Sequence, residues 1–401
     1  MADKISRVAI IGAGTMGSDL SLEFALCDFD VVVNDISQKA LDTLEKRQRQ
    51  TMDELHALKS PPKESQKEYD TVKERITTTN KLEDVKDADF VLEAIKEDLN
   101  VKRKLFSYLD ENLPGVVLAT NTSSLRVSDI AKGLEGADRI ALMHFSNPLI
   151  ISRLAEIMKG EETSEETLET ISRLAERIGK TPVVLRKDMN GAVMNRILVS
   201  INNDGLMALD KGEATQKEID ASFFRAIGFI LGMTGTIDVV GLDVAVDVGR
   251  YLGRAYGKRL VPSVGVVLEN VKAGRLGKKS GIGFNDWSKG PPVADKKLAS
   301  RYDDNRIFAM GANEAFWVMK DQMADPKTID TILKGGFRLR TGICESADSI
   351  GLDKLSEILK GLYAKYELEM YETCPLFDEY VKKGWTGKAA GRGFYTYPIE
   401  S

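Results

Sequence analysis

The chain has 401 residues, with 56 Lys and Arg against 61 Asp and Glu and a net charge of -5. That length suits two or three domains with a core that needs no disulfide staples, and the mild acidity argues against nucleic acid as a partner, since phosphate backbones demand concentrated basic residues. Three scattered cysteines (Cys27, Cys344, Cys374) and two histidines (His56, His144) show no metal-ligand spacing and no stretch reaches the ~18 apolar residues of a membrane helix, so a cytoplasmic protein without a metal or a membrane partner is expected.

The first apolar run, Arg7–Ile11, reads as a buried strand. It is too short and too soon broken by glycine for a signal peptide. It opens directly into Gly12-Ala13-Gly14-Thr15-Met16-Gly17, and a helical pattern follows. In that setting the three glycines form a dinucleotide cradle. Gly12 permits the tight turn, Gly14 admits a pyrophosphate to the backbone, and Gly17 lets the helix pack on the strand. A second strand, Asp30–Asn34, leads to Asp35, 18 residues after Gly17. A carboxylate there accepts hydrogen bonds from both adenosine ribose hydroxyls and repels a 2′-phosphate, so NAD is expected over NADP.

Residues 36–75 are highly charged and long enough for two helices, with Pro61-Pro62 as the break. Further strands are expected at Phe90–Ile95, Val116–Thr120 and Ile140–Met143, with helical patterns between several of them. Together these imply a doubly wound, Rossmann-type parallel sheet. His144 follows the last of them, at the carboxyl edge where such sheets bind ligands. An imidazole there suits proton transfer near neutrality, although a lone histidine at a strand end is often structural.

Beyond Lys187 strand signals become rare and amphipathic helical patterns dominate. This half repeats itself at a constant offset of 110 residues. Asn195-Arg196-Ile197 returns as Asn305-Arg306-Ile307, Ile219-Asp220 as Ile329-Asp330, and Gly241-Leu242-Asp243 as Gly351-Leu352-Asp353. The segment from Gly277-Lys278 to Gly283-Phe284 returns from Gly387-Lys388 to Gly393-Phe394. The period is too long for a solenoid. The expected organisation is a nucleotide-binding domain over 1–186 and two tandem all-α domains over 187–290 and 291–401.

His144-Phe145-Ser146-Asn147-Pro148, with Glu156 twelve residues after the histidine, resembles the His–Glu signature of the 3-hydroxyacyl-CoA dehydrogenases. Glu93-Ala94, Glu97 and Lys102, the loop Asn121-Thr122-Ser123-Ser124-Leu125, and Lys187-Asp188, Gly191 and Asn195-Arg196 resemble other family segments in order and spacing. The tail Gly277–Phe284 resembles the close of the helical domain, and the repeat resembles the form with that domain doubled. The resemblance implies NAD-dependent oxidation of a 3-hydroxyacyl-CoA in fatty-acid metabolism. In it His144 is the general base, Glu156 orients and stabilises the imidazole, and Ser123 and Asn195 hold the reacting oxygen or the thioester. Asn147 bridges substrate and cofactor, while Glu97, Lys102 and Lys279 lie on the cofactor side. The charged excursion touches the CoA nucleotide, with Lys59 as candidate. The second repeat keeps Asn305 but has no His–Glu signature and no nucleotide domain of its own, so one active site per chain is expected. The resemblance also implies a monomer with an internal pseudo-dimer or a homodimer, with an enoyl-CoA hydratase as candidate partner.

Read from the residues alone, Glu156 also fits a charge on an edge strand, Asn195 a helix cap, Ser123 a turn and Lys279 an ordinary surface lysine. Lys46, Arg47, Arg49, Lys59 and Lys63, interleaved with Glu45, Asp53 and Glu54, also fit a solvated face. Four stretches depart from the family pattern: Ser146, Leu149-Ile150-Ile151, Asn190-Gly191-Ala192 and Ile230-Leu231-Gly232-Met233-Thr234. They leave the acyl preference open. Beside it stand activity on a small free hydroxy acid of gulonate or carnitine type, and a catalytically silent NAD-binding partner of an enoyl-CoA hydratase.

Overall fold

Val and Ile pack well on a pleated surface and lose rotamer freedom in a helix. In the computed structural model, which describes residues 4–57, 66–146, 149, 152–261, 265–337 and 339–398, runs of such residues build one sheet. Its strands are β1 (Arg7–Ile11), β2 (Asp30–Asn34), β3 (Ile76–Thr79), β4 (Phe90–Glu93), β5 (Val117–Thr120), β6 (Ile140–His144), β7 (Leu154–Lys159) and β8 (Thr181–Leu185). They lie in the order β3-β2-β1-β4-β5-β6-β7-β8. Every neighbouring pair is parallel except β6 and β7. The strand order turns back between β1 and β4, which opens a crevice at the carboxyl ends.

The chain forms two compact units, Met1–Asn190 and Gly191–Ser401. The first holds the sheet with helices α1 (Thr15–Leu26), α2 (Gln38–Asp42), α3 (Leu44–His56), α4 (Tyr69–Val72), α5 (Leu99–Asn112), α6 (Val127–Ala131) and α7 (Glu165–Arg177). Val8, Ile10, Phe24, Phe90, Met143 and Leu174 are wholly buried in its core. The five expected strands are present, with one instructive change of length. The strand expected to reach Ile95 stops at Glu93, whose carboxylate accepts the Ile95 N–H at 2.7 Å and turns the chain. β3 and β8 were not expected. Both are edge strands: β3 is nearly all threonine, and β8 carries Pro182, which an edge tolerates because it needs fewer ladder donors. In the charged excursion, Gln48 of α3 donates to Ser21 of α1 at 2.8 Å and accepts from Tyr69, which ties the excursion to α1. Pro61-Pro62 lies outside the described residues.

The second unit is helical. Its elements are α8 (Val193–Asp210), α9 (Gln216–Ile227), α10 (Gly232–Val240), α11 (Leu242–Tyr256) and α12 (Gly265–Lys272), then α13 (Asn305–Lys320), α14 (Pro326–Phe337), α15 (Ile343–Ile350), α16 (Leu352–Tyr366) and α17 (Pro375–Lys382). The 110-residue offset carries α9 onto α14, α11 onto α16 and α12 onto α17. No single helix among the described residues is long and apolar enough to cross a membrane.

Buried ion pairs join the two repeats reciprocally. Arg196 of α8 donates to Glu314 of α13 at 2.8 and 2.7 Å. Arg306, the counterpart of Arg196, donates to Asp204, the counterpart of Glu314, at 2.9 and 2.6 Å. Ser200 and its own counterpart Met310 meet between them through a 3.3 Å hydrogen bond. Such exchange is the mark of an isologous, two-fold contact. Here it lies within one chain.

Removing one partner of a buried pair strands the other charge. Glu314→Gln should therefore destabilise the second unit by about 3–5 kcal/mol, read by denaturant unfolding, and a loss below about 1 kcal/mol would show that Asp321, 3.0 Å from Arg196, suffices to compensate it.

Candidate active site

The glycine-rich turn lies between β1 and α1. Gly12 holds φ +109°, and a Cβ there would sit 2.6 Å from the Ala94 carbonyl oxygen. A Cβ on Gly17 would meet the Gly12 oxygen at 1.7 Å. Gly14 differs: a Cβ there would meet nothing within 4 Å. Gly12 and Gly17 are thus required by packing, and Gly14 faces space. Helix α1 starts behind Gly14 with no side-chain cap, so its first N–H groups and positive dipole end face that space. Asp35 accepts the Ala13 N–H at 2.7 Å through Oδ2 and the Ser37 N–H at 2.8 Å through Oδ1. Ile36 beside it is 96% exposed, an apolar side chain left open next to Asp35. These residues fit a dinucleotide.

One residue of this cradle was assigned elsewhere by sequence. Arg47 of α3 donates to the carbonyls of Ala13 and of Ala40, the latter at 2.9 Å. Burial lowers its pKa from the usual arginine value. Its guanidinium is spent on the glycine turn and is not part of a solvated charged face. With Asp35 on the N–H and Arg47 on the C=O, Ala13 is clamped from both sides.

A second group spans β4, β5 and α5. Asp98 caps α5 through Oδ1, and the helix places Lys102 in the interior. The buried Lys102 ammonium pairs with Glu93 at 2.5 Å and Glu97 at 3.4 Å. Burial pushes the Glu93 carboxyl up against the opposing Lys102 charge. Burial also acts on Glu97, but the Lys102 charge and its hydrogen bonds outweigh it and hold the carboxyl below its ordinary value. Glu97 Oε1 accepts from the Ser123 N–H at 3.1 Å, the Ser124 N–H at 3.0 Å and the Ser124 hydroxyl at 2.6 Å. Glu97 therefore shapes the loop after β5 that carries Ser123.

His144 ends β6, and the antiparallel register sets Glu156 of β7 directly across from it. Both are buried, at 3% and 0% exposure. His144 Nδ1 lies 3.5 Å from Glu156 Oε2, and Nε2 lies 3.3 Å from Ser123 Oγ. The Phe145 N–H donates to Asn121 Oδ1 at 3.1 Å, which locks the end of β6 to the serine loop. Of the departures near this strand, Leu149 is buried and Ser146 donates to Ser152 at 2.8 Å; Ile150 and Ile151 lie outside the described residues.

The first unit thus gathers Gly12, Gly14, Gly17 and Asp35 in one group, and Glu97, Lys102, Ser123, His144 and Glu156 in another. Asn147 and Lys59 lie outside the described residues. Asn195 and Lys279 belong to the second unit, where Asn195 is in the first turn of α8 and Lys279 pairs with Asp243 at 2.6 Å. An imidazole between a carboxylate and a hydroxyl can move a proton at Nε2 while Nδ1 is held.

Residues 7–189 match the family described as 3-hydroxyacyl-CoA dehydrogenase, NAD binding domain, and residues 191–287 and 304–397 each match 3-hydroxyacyl-CoA dehydrogenase, C-terminal domain. The chain is 33% identical over 288 residues to a 3-hydroxybutyryl-CoA dehydrogenase of Clostridioides difficile, covering 71% of this chain and 100% of the relative. It is 29% identical over 382 residues to a fatty acid oxidation complex subunit alpha of Psychrobacter sp., covering 88% of this chain and 52% of that protein. The crystal structure of a 3-hydroxybutyryl-CoA dehydrogenase from Escherichia coli K12 shares the fold, with a TM-score of 0.78 at 24% identity over 95% of this chain and 100% of its own. With both family domains present over almost its whole length, the chain belongs to the NAD-dependent 3-hydroxyacyl-CoA dehydrogenase family.

Proposed function

We propose that this protein interconverts (S)-3-hydroxyacyl-CoA and 3-oxoacyl-CoA with NAD, as a step of fatty-acid oxidation. The observation that carries the reading is His144 set between Ser123 and Glu156 at the carboxyl edge of the sheet. In the oxidative direction Nε2 of His144 takes the proton of the 3-hydroxyl, and the Ser123 hydroxyl holds the same oxygen. Glu156 keeps the imidazole oriented through Nδ1 and stabilises its cationic form. Bound NAD supplies the hydride acceptor. Asp35 binds the adenosine ribose and Gly14 admits the pyrophosphate. Lys102 acts through Glu97, which shapes the Ser123 loop. Asn195 holds the thioester end, Asn147 bridges substrate and cofactor, Lys279 lies toward the cofactor and Lys59 toward the CoA nucleotide. The reciprocal pairing of the repeats supports a monomer with an internal pseudo-dimer and one active site. The likeness to a fatty acid oxidation complex subunit supports an enzyme of the enoyl-CoA hydratase class as the source of substrate.

His144→Gln should lower turnover of acetoacetyl-CoA by ~10²–10⁴-fold and leave the calorimetric Kd for NAD nearly unchanged. Loss of NAD binding instead would remove His144 from proton transfer. Asp35→Ala should relax the preference for NADH over NADPH, and a wild-type protein that already favours NADPH would overturn the role given to Asp35. Arg47→Met releases the Ala13 carbonyl, so the Kd for NAD should rise by about tenfold or more. An unchanged Kd would show that the turn holds its shape without the clamp.

A further inference from the structure

Helix α8 has two different faces. Arg196, Ser200 and Asp204 face α13. The other face carries Asn195, Leu198, Val199, Asn202 and Leu206, at i, i+3, i+4, i+7 and i+11. Together with Ile237, Val246 and Val267 these side chains line a largely apolar cavity of about 110 Å³. The buried Oδ1 of Asn202 has no hydrogen-bond partner. A buried amide oxygen without a donor is destabilising and calls for an explanation.

The second repeat serves as an internal control. It has the same backbone plan but no need of this cavity. Leu198 is replaced there by Phe308, Leu206 by Phe316 and Val267 by Phe377. Phe316 stacks on Phe377 and Phe394 with ring centroids 4.6 and 4.3 Å away. Asn202 is replaced by Ala312. The neighbouring asparagine behaves differently. Asn203 donates to the Val261 carbonyl at 3.1 Å, and its counterpart Asn313 donates to that of Glu372 at 2.8 Å. Asn203 is therefore kept for the fold, and Asn202 has no such duty. The open space and the unpartnered amide oxygen occur together in the first repeat, where Asn195 also lines the cavity.

We infer that this cavity seats the acyl chain of the substrate, and that Asn202 selects chains bearing a hydroxyl a few carbons along over plain alkyl chains. The inference rests on the reading of the protein as an acyl-CoA dehydrogenase and extends it to the substrate's tail. The apolar lining takes the methylenes. The volume is below the roughly 150 Å³ that admits benzene, which fits a segment of a few carbons. A hydroxyl both donates and accepts, so it satisfies the Asn202 amide in either orientation.

The test is calorimetric binding of butyryl-CoA, hexanoyl-CoA and 6-hydroxyhexanoyl-CoA, which lack the 3-oxygen and bind without reacting. The wild-type protein should bind 6-hydroxyhexanoyl-CoA about tenfold more tightly than hexanoyl-CoA. Asn202→Ala, which copies the second repeat, should bring that ratio to about one. Val267→Phe, which copies Phe377, should abolish the advantage of hexanoyl-CoA over butyryl-CoA. Ratios untouched by both substitutions would overturn the inference. So would an equal weakening of all three ligands by Asn202→Ala, which would assign Asn202 to the CoA arm they share. NADH oxidation by acetoacetyl-CoA tests the reaction separately: its absence beside the expected binding pattern would sink the dehydrogenase reading and leave the chain seat standing.

Discussion

The one antiparallel step in an otherwise parallel sheet brings Glu156 to His144. In a parallel pair the strand beside β6 would arrive only after a long crossover. The reversal lets residues twelve apart face each other across neighbouring strands. A one-residue slip of β7 would turn Glu156 to the opposite face, so the apolar residues on either side of it hold the pair in register. Leu154, Ala155, Ile157 and Met158 are all buried. The serine loop, the glycine turn and the end of β6 then lie along one carboxyl edge of the same sheet.

That edge is stiffened by charge. Lys102 is almost wholly buried, which is tolerable only because Glu93 and Glu97 compensate it. Thr120 and the Ile95 N–H satisfy more of Glu93, and the serine loop satisfies Glu97. The network therefore joins the end of β4 to the loop after β5, and the position of Ser123 follows from the Glu97 carboxylate that Lys102 holds in place. Asp35 and Arg47 do the same for the glycine turn, each holding one end of the Ala13 residue.

The second unit uses one backbone plan for two ends. Reciprocal Arg–carboxylate pairs weld the repeats together, and equivalent acids brace equivalent turns. Asp238 accepts the Phe284 N–H and Asp348 the Phe394 N–H at 2.8 and 2.9 Å. Against that shared frame the differences stand out. The second repeat packs aromatic rings where the first keeps aliphatic side chains, open space and an unpartnered amide.

Much of this was legible in the sequence because it is local or periodic. The glycines of the turn answer to backbone conformation and close packing, Asp35 to its distance from them, and the repeat to a constant offset. His144 and Glu156 were legible through a resemblance that carries their spacing. Other features needed the tertiary structure. β3 has no apolar run to announce it, because an edge strand is specified by its neighbour's ladder and only weakly by its own side chains. Arg47 looks like one more charge on a polar helix until α3 packs beside the glycine turn. Asn202 and Asn203 are the same residue in adjacent positions, and only the helix's orientation makes one a brace and the other an open amide. Sequence by itself determined the family, the repeat and the order of the candidate residues along the chain. The tertiary structure decided which polar groups meet, since hydrogen bonds and ion pairs between distant residues depend on packing that no local pattern encodes.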